Sequence, residues 1–290
     1  MAACNNYIKD ISIQSFYDHF KVLNDVNTQS NVNFDINDIS LEGDDTLNKD
    51  FSLAEIDKLI NKLKNNKSCG IDNIINEFIK YSPIDYKQLL VKLFNLILRT
   101  GIIPASWSIS FISPIYKNKG SKSDPDNYRG ISIISCLGKL FSSVINERLS
   151  EFVEINKIIG EEQAGFRAGY STQDHIFTLQ AIIDIYLNKL NRNNTKLFCA
   201  FIDYQKAFDL VDRTSLWSKL LDYNINGRLM KLIFNMYQDT KACIKLNNKL
   251  SNSFVCNIGV RQGDNLSPLL FALFINDFEM HLSRSHSYNG

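Results

Sequence analysis

One short segment, residues 196–203, constrains the fold more than any other. It is Lys-Leu-Phe-Cys-Ala-Phe-Ile-Asp, an almost unbroken apolar run that ends in a carboxylate. Such a run is typical of a strand covered on both faces, so we expect a buried strand that delivers Asp203 to the rim of a sheet. A carboxylate at that position suits a hard divalent cation, although a strand-ending Asp is more often a simple turn residue. Asp209 and Asp212 follow as expected turn or helix-cap residues.

The rest of the chain supplies helices and strands without strict alternation. Helical spacing predicts helices at residues 13–20, 52–63, 85–100, 138–154, 172–190, 215–221 and 227–237, and a last helix after Pro268. Further strands are predicted at residues 109–116, 131–134, 242–246 and 254–256. This order favours an α+β architecture over a regular βαβ fold.

The first fifty residues differ from the remainder in charge. They hold three Lys against nine Asp or Glu, whereas residues 51–290 hold 29 basic and 22 acidic side chains. We expect residues 1–50 to be an acidic, partly disordered leader or connector that contains one short helix, with order beginning at Phe51. The basic remainder permits a polyanionic partner, but ordinary solubilising charge explains the same balance.

The composition excludes several classes of protein. No apolar run reaches the ~18 residues that a membrane span needs, and residues 1–10 lack the pattern of a signal peptide. The six cysteines include no Cys-x-x-Cys pair, which argues against a zinc site and against a disulfide framework. We therefore expect an intracellular protein without a membrane partner; the sequence does not indicate its oligomeric state.

Two loops could bind phosphate. Four cations lie at the tip of the predicted hairpin that spans residues 109–134: Lys117, Lys119, Lys122 and Arg129. Residues 259–268, Gly-Val-Arg-Gln-Gly-Asp-Asn-Leu-Ser-Pro, combine a glycine-flanked loop with Ser267 as the expected N-cap of the last helix. Each loop taken alone is explained as well by a solvated basic tip or by an ordinary turn.

The order of five segments is more informative than any one of them. They are ISPIYKNKG at 112–120, NYRGIS at 127–132, QAGFRAGYST at 163–172, AFIDYQKAFD at 200–209 and GVRQGDNLSPLLF at 259–271. In this order and spacing they closely resemble the reverse transcriptase domain of LINE-type (non-LTR) retrotransposons, over roughly residues 51–290. The segment around Arg129 departs from the commoner Arg-Pro of that family but keeps the arginine.

The resemblance implies a right-hand polymerase with fingers and an incomplete palm built on a ferredoxin-like sheet. Residues 51–194 correspond to the fingers, with the first palm elements interleaved, and residues 195–290 to the palm. The implied activity is RNA-directed DNA polymerisation by two-metal nucleotidyl transfer with Mg²⁺. The implied partners are an RNA template, a DNA primer and deoxynucleoside triphosphates.

The resemblance also assigns roles to individual residues. Asp203 matches the first catalytic aspartate, a ligand of both Mg²⁺ ions, and Phe208 matches the steric gate that excludes a ribose 2′-hydroxyl. The residues matched to the incoming nucleotide are Lys117, Arg129, Tyr204, Phe208 and Gln262. The residues matched to the template are Gln163, Gly165, Phe166 and Arg167.

One element of the family pattern has no counterpart in the sequence. An aromatic-x-Asp-Asp turn is expected after the last helix, and Asn276-Asp277 does not replace it because that pair is predicted to lie within a helix. We therefore expect a polymerase domain truncated before this motif and inactive by itself. The alternative is a non-catalytic, nucleic-acid-binding remnant of such an element.

Overall fold

The structure is a computed structural model that describes residues 11–25, 32, 34–40, 42–189 and 196–280. Within these residues it has the predicted α+β architecture, with ten α-helices and one four-stranded sheet. The helices are α1 (Ile13–Asn24), α2 (Asp45–Asn48), α3 (Leu53–Lys62), α4 (Asn76–Lys80), α5 (Ile84–Thr100), α6 (Cys136–Ile155), α7 (Thr172–Ile183), α8 (Arg213–Asp222), α9 (Gly227–Gln238) and α10 (Ser267–Ile275). The strands are β1 (Ile109–Tyr116), β2 (Tyr128–Ile133), β3 (Lys241–Leu246) and β4 (Lys249–Val255).

Local sequence signals explain where several helices begin and end. Ser52 and Glu55 form the predicted capping box of α3, and α5 ends at Gly101, whose φ of 69° is left-handed. Ser171 and Asp174 form a capping box at α7, whose predicted end at Leu190 lies outside the described residues. No helix in the described part of the chain is both long and apolar enough to cross a membrane.

The sheet consists of two hairpins that lie side by side. Its order is β2-β1-β3-β4, with antiparallel pairs β1–β2 and β3–β4 and a parallel pair β1–β3 in which Phe111 lies opposite Cys243. The described strands therefore do not show the ferredoxin-like order expected for the palm. The sheet also takes two strands from each side of the predicted boundary at residue 194.

The predicted buried strand at residues 196–203 is wrong for this structure. The segment has no regular structure, and its two phenylalanine side chains are exposed, 88% for Phe198 and 86% for Phe201. A strand needs partners for its backbone N–H and C=O groups, and the described strands pair with one another instead. The apolar pattern identified a segment suited to burial, but nothing in the described ranges covers it.

The main core surrounds α6, which is buried along most of its length. Phe141 at its centre packs against Phe94 of α5 and against Trp107, with ring centroids 4.9 and 5.5 Å apart. Helices α8, α9 and α10 complete the same core. One continuous core therefore joins residues from both of the predicted domains.

The leader helix α1 closes one face of the sheet. Ser12 caps α1, and Phe16 and Phe20 pack with Tyr128 and Ile244 in a second, smaller core. The Phe16 and Tyr128 rings meet edge to face at 5.0 Å. The expectation that order begins at Phe51 is therefore wrong, because the apolar side chains of α1 cover strands that water would otherwise reach.

The polar residues that follow α1 also have structural partners. Asn48 Oδ1 accepts a hydrogen bond from Leu229 N–H at 3.0 Å, and Asn48 Nδ2 donates to Asn226 O at 3.2 Å. Gly227 N–H donates to Ser40 O at 3.1 Å. Ser40 and Asn48 thus supply acceptors to the first N–H groups of α9, which need partners outside their own helix. The Asn- and Asp-rich composition indicated a flexible connector, but one of these residues, Asn48, caps a helix.

Candidate nucleotide site

A compact turn carries several of the predicted site residues. The N–H groups of Asp209 and Leu210 both donate to Lys206 O, at 2.9 and 3.1 Å, and close the turn over residues 205–210. Asp203 precedes this turn with an exposed carboxylate that has no hydrogen-bond partner among the described residues. Asp212 follows the turn and caps α8, as predicted, by accepting from Ser215 N–H at 2.7 Å.

The glycine-flanked loop lies directly against this turn. Val260 N–H donates to Phe208 O at 2.8 Å, and Gly259 N–H donates to Val211 O at 2.9 Å. Gly259 has a φ of 79°, and a Cβ atom there would lie 2.6 Å from Asp209 O. Only glycine permits this approach, so the position of Phe208 depends on the loop.

The same loop also extends the edge of the sheet. Ser132 N–H, on β2, donates to Gln262 O at 2.9 Å, and a Cβ atom at Gly263 would lie 2.6 Å from Ser132 O. Gln262 is therefore held beside the strand that carries Arg129. One loop brings together the turn of Phe208, the amide of Gln262 and the β2 strand, although Gln262 and Ser132 are 130 residues apart in the sequence.

Two arginines fix the loop from behind, and the sequence motifs do not reveal either role. Arg213 Nε donates to Gly259 O at 2.9 Å, and Arg261 Nη2 donates to Met236 O at 2.9 Å. Both guanidinium groups lie over the Tyr237 ring, at 5.1 and 5.7 Å from its centroid. Burial lowers the pKa of Arg213 to about 10. The position of Arg261 in the loop motif is typical of a ligand-binding cation, but its guanidinium group donates hydrogen bonds to backbone carbonyls inside the fold.

Helix α6 holds the other end of the loop. Ser142 Oγ donates to the buried carboxylate of Asp264, and Asn265 Nδ2 donates to Ser143 Oγ at 2.5 Å. Helix α10 then begins at Ser267, with Leu266 at the N-cap position, so the predicted N-cap role of Ser267 is wrong by one residue. These contacts make the loop a fixed part of the core rather than a mobile flap.

Aromatic rings form the wall of the site around Phe208. The half-buried Phe208 ring stacks on Phe271 at 5.2 Å, and the exposed Phe166 ring meets it edge to face at 6.0 Å. Tyr204 lies beside the same group, 6.4 Å from Phe271. Phe166 has a φ of 65°, a strained conformation for a bulky residue. Three of the predicted site residues therefore meet in one aromatic cluster.

Two of the predicted template-binding residues, Gln163 and Arg167, form hydrogen bonds within the protein. Arg167 donates two hydrogen bonds of 2.9 Å to Glu154, and these bonds lower the pKa of the Glu154 carboxyl group. The Arg167 side chain is only 5% exposed. Gln163 Nε2 donates to Ala272 O in α10 at 3.1 Å. These bonds anchor the loop and leave Gly165 and Phe166 facing outward, with open space around Gly165.

The hairpin tip carries the two predicted phosphate-binding cations. Lys117 Nζ donates to Asp126 O at 2.6 Å, and the exposed Arg129 guanidinium has no hydrogen-bond partner among the described residues. Lys206, from the turn that contains Phe208, pairs with the Asp126 carboxylate at 3.2 Å. This ion pair places the hairpin tip beside the turn.

The described carboxylates do not group into a site for two metal ions. No cluster of three or more His, Cys, Asp or Glu side chains with ligand geometry occurs in the described part of the chain. Asp209 is half-buried and lines a small cavity behind the loop, where burial raises its pKa. Asp277 lies in a turn just after α10, rather than within a helix as predicted, and pairs with Lys219. Among the described residues 196–212, Asp203 is the one exposed carboxylate.

Comparison with known proteins agrees with the sequence resemblance. Residues 116–289 match the family described as reverse transcriptase (RNA-dependent DNA polymerase). The chain is 32% identical, over 79% of its length, to the probable RNA-directed DNA polymerase from transposon BS of Drosophila melanogaster. It is 30% identical, over 78% of its length, to the RNA-directed DNA polymerase from mobile element jockey of Drosophila funebris.

The chain spans about a quarter of the length of these relatives, 25% and 24% respectively. The family match contains every residue that the sequence analysis assigned to the site, from Lys117 to Gln262. Because the match covers more than half of the chain, the chain belongs to the reverse transcriptase (RNA-dependent DNA polymerase) family, among the members from LINE-type, non-LTR transposons.

Proposed function

We propose that this chain forms part of the site at which a retrotransposon reverse transcriptase adds deoxynucleotides to a DNA primer on an RNA template. The observation that supports it most is the loop of residues 259–263, which bonds to both Phe208 O and the backbone of Ser132. In this proposal residues 51–194 act as fingers and residues 195–290 as part of the palm.

The incoming nucleotide is proposed to lie between the hairpin tip and the aromatic cluster. Lys117 and Arg129 contact its triphosphate, because exposed cations form charge-assisted hydrogen bonds with phosphate. The Phe208 ring occupies the space that a ribose 2′-hydroxyl needs, and its packing on Phe271 keeps it from moving away. Tyr204 and Gln262 line the sugar and base sides of the same surface.

The template is proposed to pass over the loop of residues 163–167. Gly165 and Phe166 present backbone and an aromatic face to it, and base–aromatic stacking tolerates any sequence. Gln163 and Arg167 act through the shape of this loop, since their polar groups are bonded to Ala272, Gly160 and Glu154.

Reverse transcriptases use divalent metal ions, and we propose Mg²⁺ with Asp203 as one ligand. Mg²⁺ keeps several waters and takes one or two protein carboxylates, so an exposed Asp203 suits it. Two ions about 3.5–4 Å apart require more carboxylates than the described residues bring together. The described donor set therefore fits one metal ligand and does not by itself form the two-metal site.

The experiment measures the binding of this chain to a fluorescent DNA primer annealed to an RNA template. We expect the affinity to fall steeply with added salt, because phosphate contacts release counterions. In the presence of Mg²⁺, the deoxynucleotide complementary to the next template base is expected to slow dissociation, whereas the three mismatched deoxynucleotides are not.

Two variants make the test specific. Arg129→Met removes an exposed cation at the proposed triphosphate position, and Lys249→Met removes an exposed cation on β4. Only Arg129→Met is expected to abolish the effect of the complementary deoxynucleotide. Salt-sensitive binding that no deoxynucleotide changes would instead support the nucleic-acid-binding remnant, and salt-insensitive binding would contradict both.

A further inference from the structure

Two lysine side chains meet Asp126 at the hairpin tip. Lys206 Nζ pairs with Asp126 Oδ1 at 3.2 Å, and Lys117 Nζ donates to the backbone carbonyl of the same residue at 2.6 Å. His19, on α1, interacts electrostatically with this carboxylate, although burial lowers the pKa of the His19 imidazole. Their combined effect, led by the hydrogen bond from Lys206, lowers the pKa of Asp126.

The backbone explains why Lys206 reaches this position. Its φ of 52° is left-handed, which is uncommon for a residue with a side chain and follows from the tight turn that its own carbonyl closes. Lys206 lies between Asp203 and Phe208 in the sequence. An ammonium group from the turn of the proposed gate thus meets the tip that carries Lys117 and Arg129.

We propose that Lys206 is a third triphosphate-binding cation, and that the Asp126 carboxylate holds the position of a phosphate group until the nucleotide displaces it. This inference rests on the proposed function, since it concerns the same nucleotide. It adds Lys206, which attracts the triphosphate, and Asp126, which competes with the triphosphate for the same cations.

The charges favour displacement of the carboxylate by a nucleotide. The Lys206 and Asp126 side chains are 33% and 63% exposed, and exposed ion pairs contribute little because water screens them. A triphosphate offers several anionic oxygens to the same cations, and each forms a charge-assisted hydrogen bond. Asp126 therefore lowers the affinity for phosphate without blocking it.

The test uses two substitutions that should act in opposite directions. Lys206→Met is expected to weaken binding of inorganic tripolyphosphate to this chain about tenfold, because one charged hydrogen bond is lost. Asp126→Asn is expected to strengthen it roughly threefold, because a competing charge is removed. Lys249→Met on β4 is the matched control. Isothermal titration calorimetry measures the dissociation constants, and thermal unfolding without ligand checks each variant.

The outcomes separate this inference from the proposed function. Opposite shifts in affinity support the inference, whereas shifts in the same direction indicate a merely structural ion pair and overturn it. An unchanged affinity in both variants, or no tripolyphosphate binding by the unsubstituted chain, also overturns it. The proposed function is judged separately, by whether the complementary deoxynucleotide slows dissociation of the primer–template.

Discussion

Asn48 connects the leader to the core, and its substitution tests whether residues 42–48 stabilise the fold. The side chain accepts a hydrogen bond from Leu229 N–H at 3.0 Å and donates to Asn226 O and to Asp44 O, at 3.2 and 2.9 Å. Asn226 precedes α9 but makes no side-chain cap bond of its own. Asn48→Ala therefore removes the only side-chain cap that the described residues provide for this helix.

The expected loss of stability follows from these three bonds. Removal of an N-cap acceptor costs about 1 kcal/mol. The two donated bonds add about 0.5–1 kcal/mol each, because water replaces part of each bond at a half-buried side chain. We therefore expect the free energy of unfolding to fall by about 2–3 kcal/mol, and the midpoint of thermal unfolding to fall by roughly 3–5 °C.

Urea unfolding followed by far-ultraviolet circular dichroism measures this change. Asn48→Asp keeps an acceptor at the helix N-terminus, where negative charge is favourable, and should lose less than half as much stability. Asn61→Ala removes an exposed asparagine on α3 that bonds only to Asp57, and should have little effect. A loss below about 0.5 kcal/mol for Asn48→Ala, or an equal loss for Asn61→Ala, would refute the reasoning.

Four further predictions concern the site and its support. Phe208→Ala should let a complementary ribonucleotide slow primer–template dissociation almost as well as the deoxynucleotide; unchanged sugar preference in the same assay would contradict its role as a gate. Arg261→Met should lower the free energy of unfolding by about 3 kcal/mol in urea, because two backbone carbonyls lose a charged donor. Burial raises the pKa of Asp209, so the ionised form destabilises the fold as pH rises through that pKa; Asp209→Asn should therefore increase stability more at about pH 7 than at about pH 4. Burial raises the pKa of Cys256 to about 11, so iodoacetamide at about pH 8 should modify the exposed Cys199 before Cys256, as peptide mass spectrometry can show.

Local sequence signals predicted most of the secondary structure, because each is satisfied by near neighbours. The capping box of Ser52 and Glu55 and the left-handed Gly101 require only a few adjacent residues. The hairpin of β1 and β2 follows from two β-rich segments and the polar loop between them. The motif order identified the family, since five segments in register describe one protein family irrespective of their packing.

The predictions that were wrong concern residues whose packing depends on partners far away in the sequence. The apolar run at residues 196–203 has the composition of a buried strand, but a strand also requires a neighbouring strand, and composition does not supply one. The leader has the composition of a flexible connector, yet Phe16 and Asn48 find partners on β2 and α9. No pattern within residues 1–50 contains those partners.

The sequence by itself predicted which residues form the candidate site, because Phe208, Gln262, Arg129 and Phe166 each lie in a recognisable motif. Only the tertiary structure decided how each is used. It turned Arg167 and Arg261 inward to bond with other parts of the fold, and it placed Lys206 across from Asp126. The physical reason is that a charged side chain has the same identity in a ligand site and in an internal bond, and its role depends on which partner the fold brings within hydrogen-bond distance.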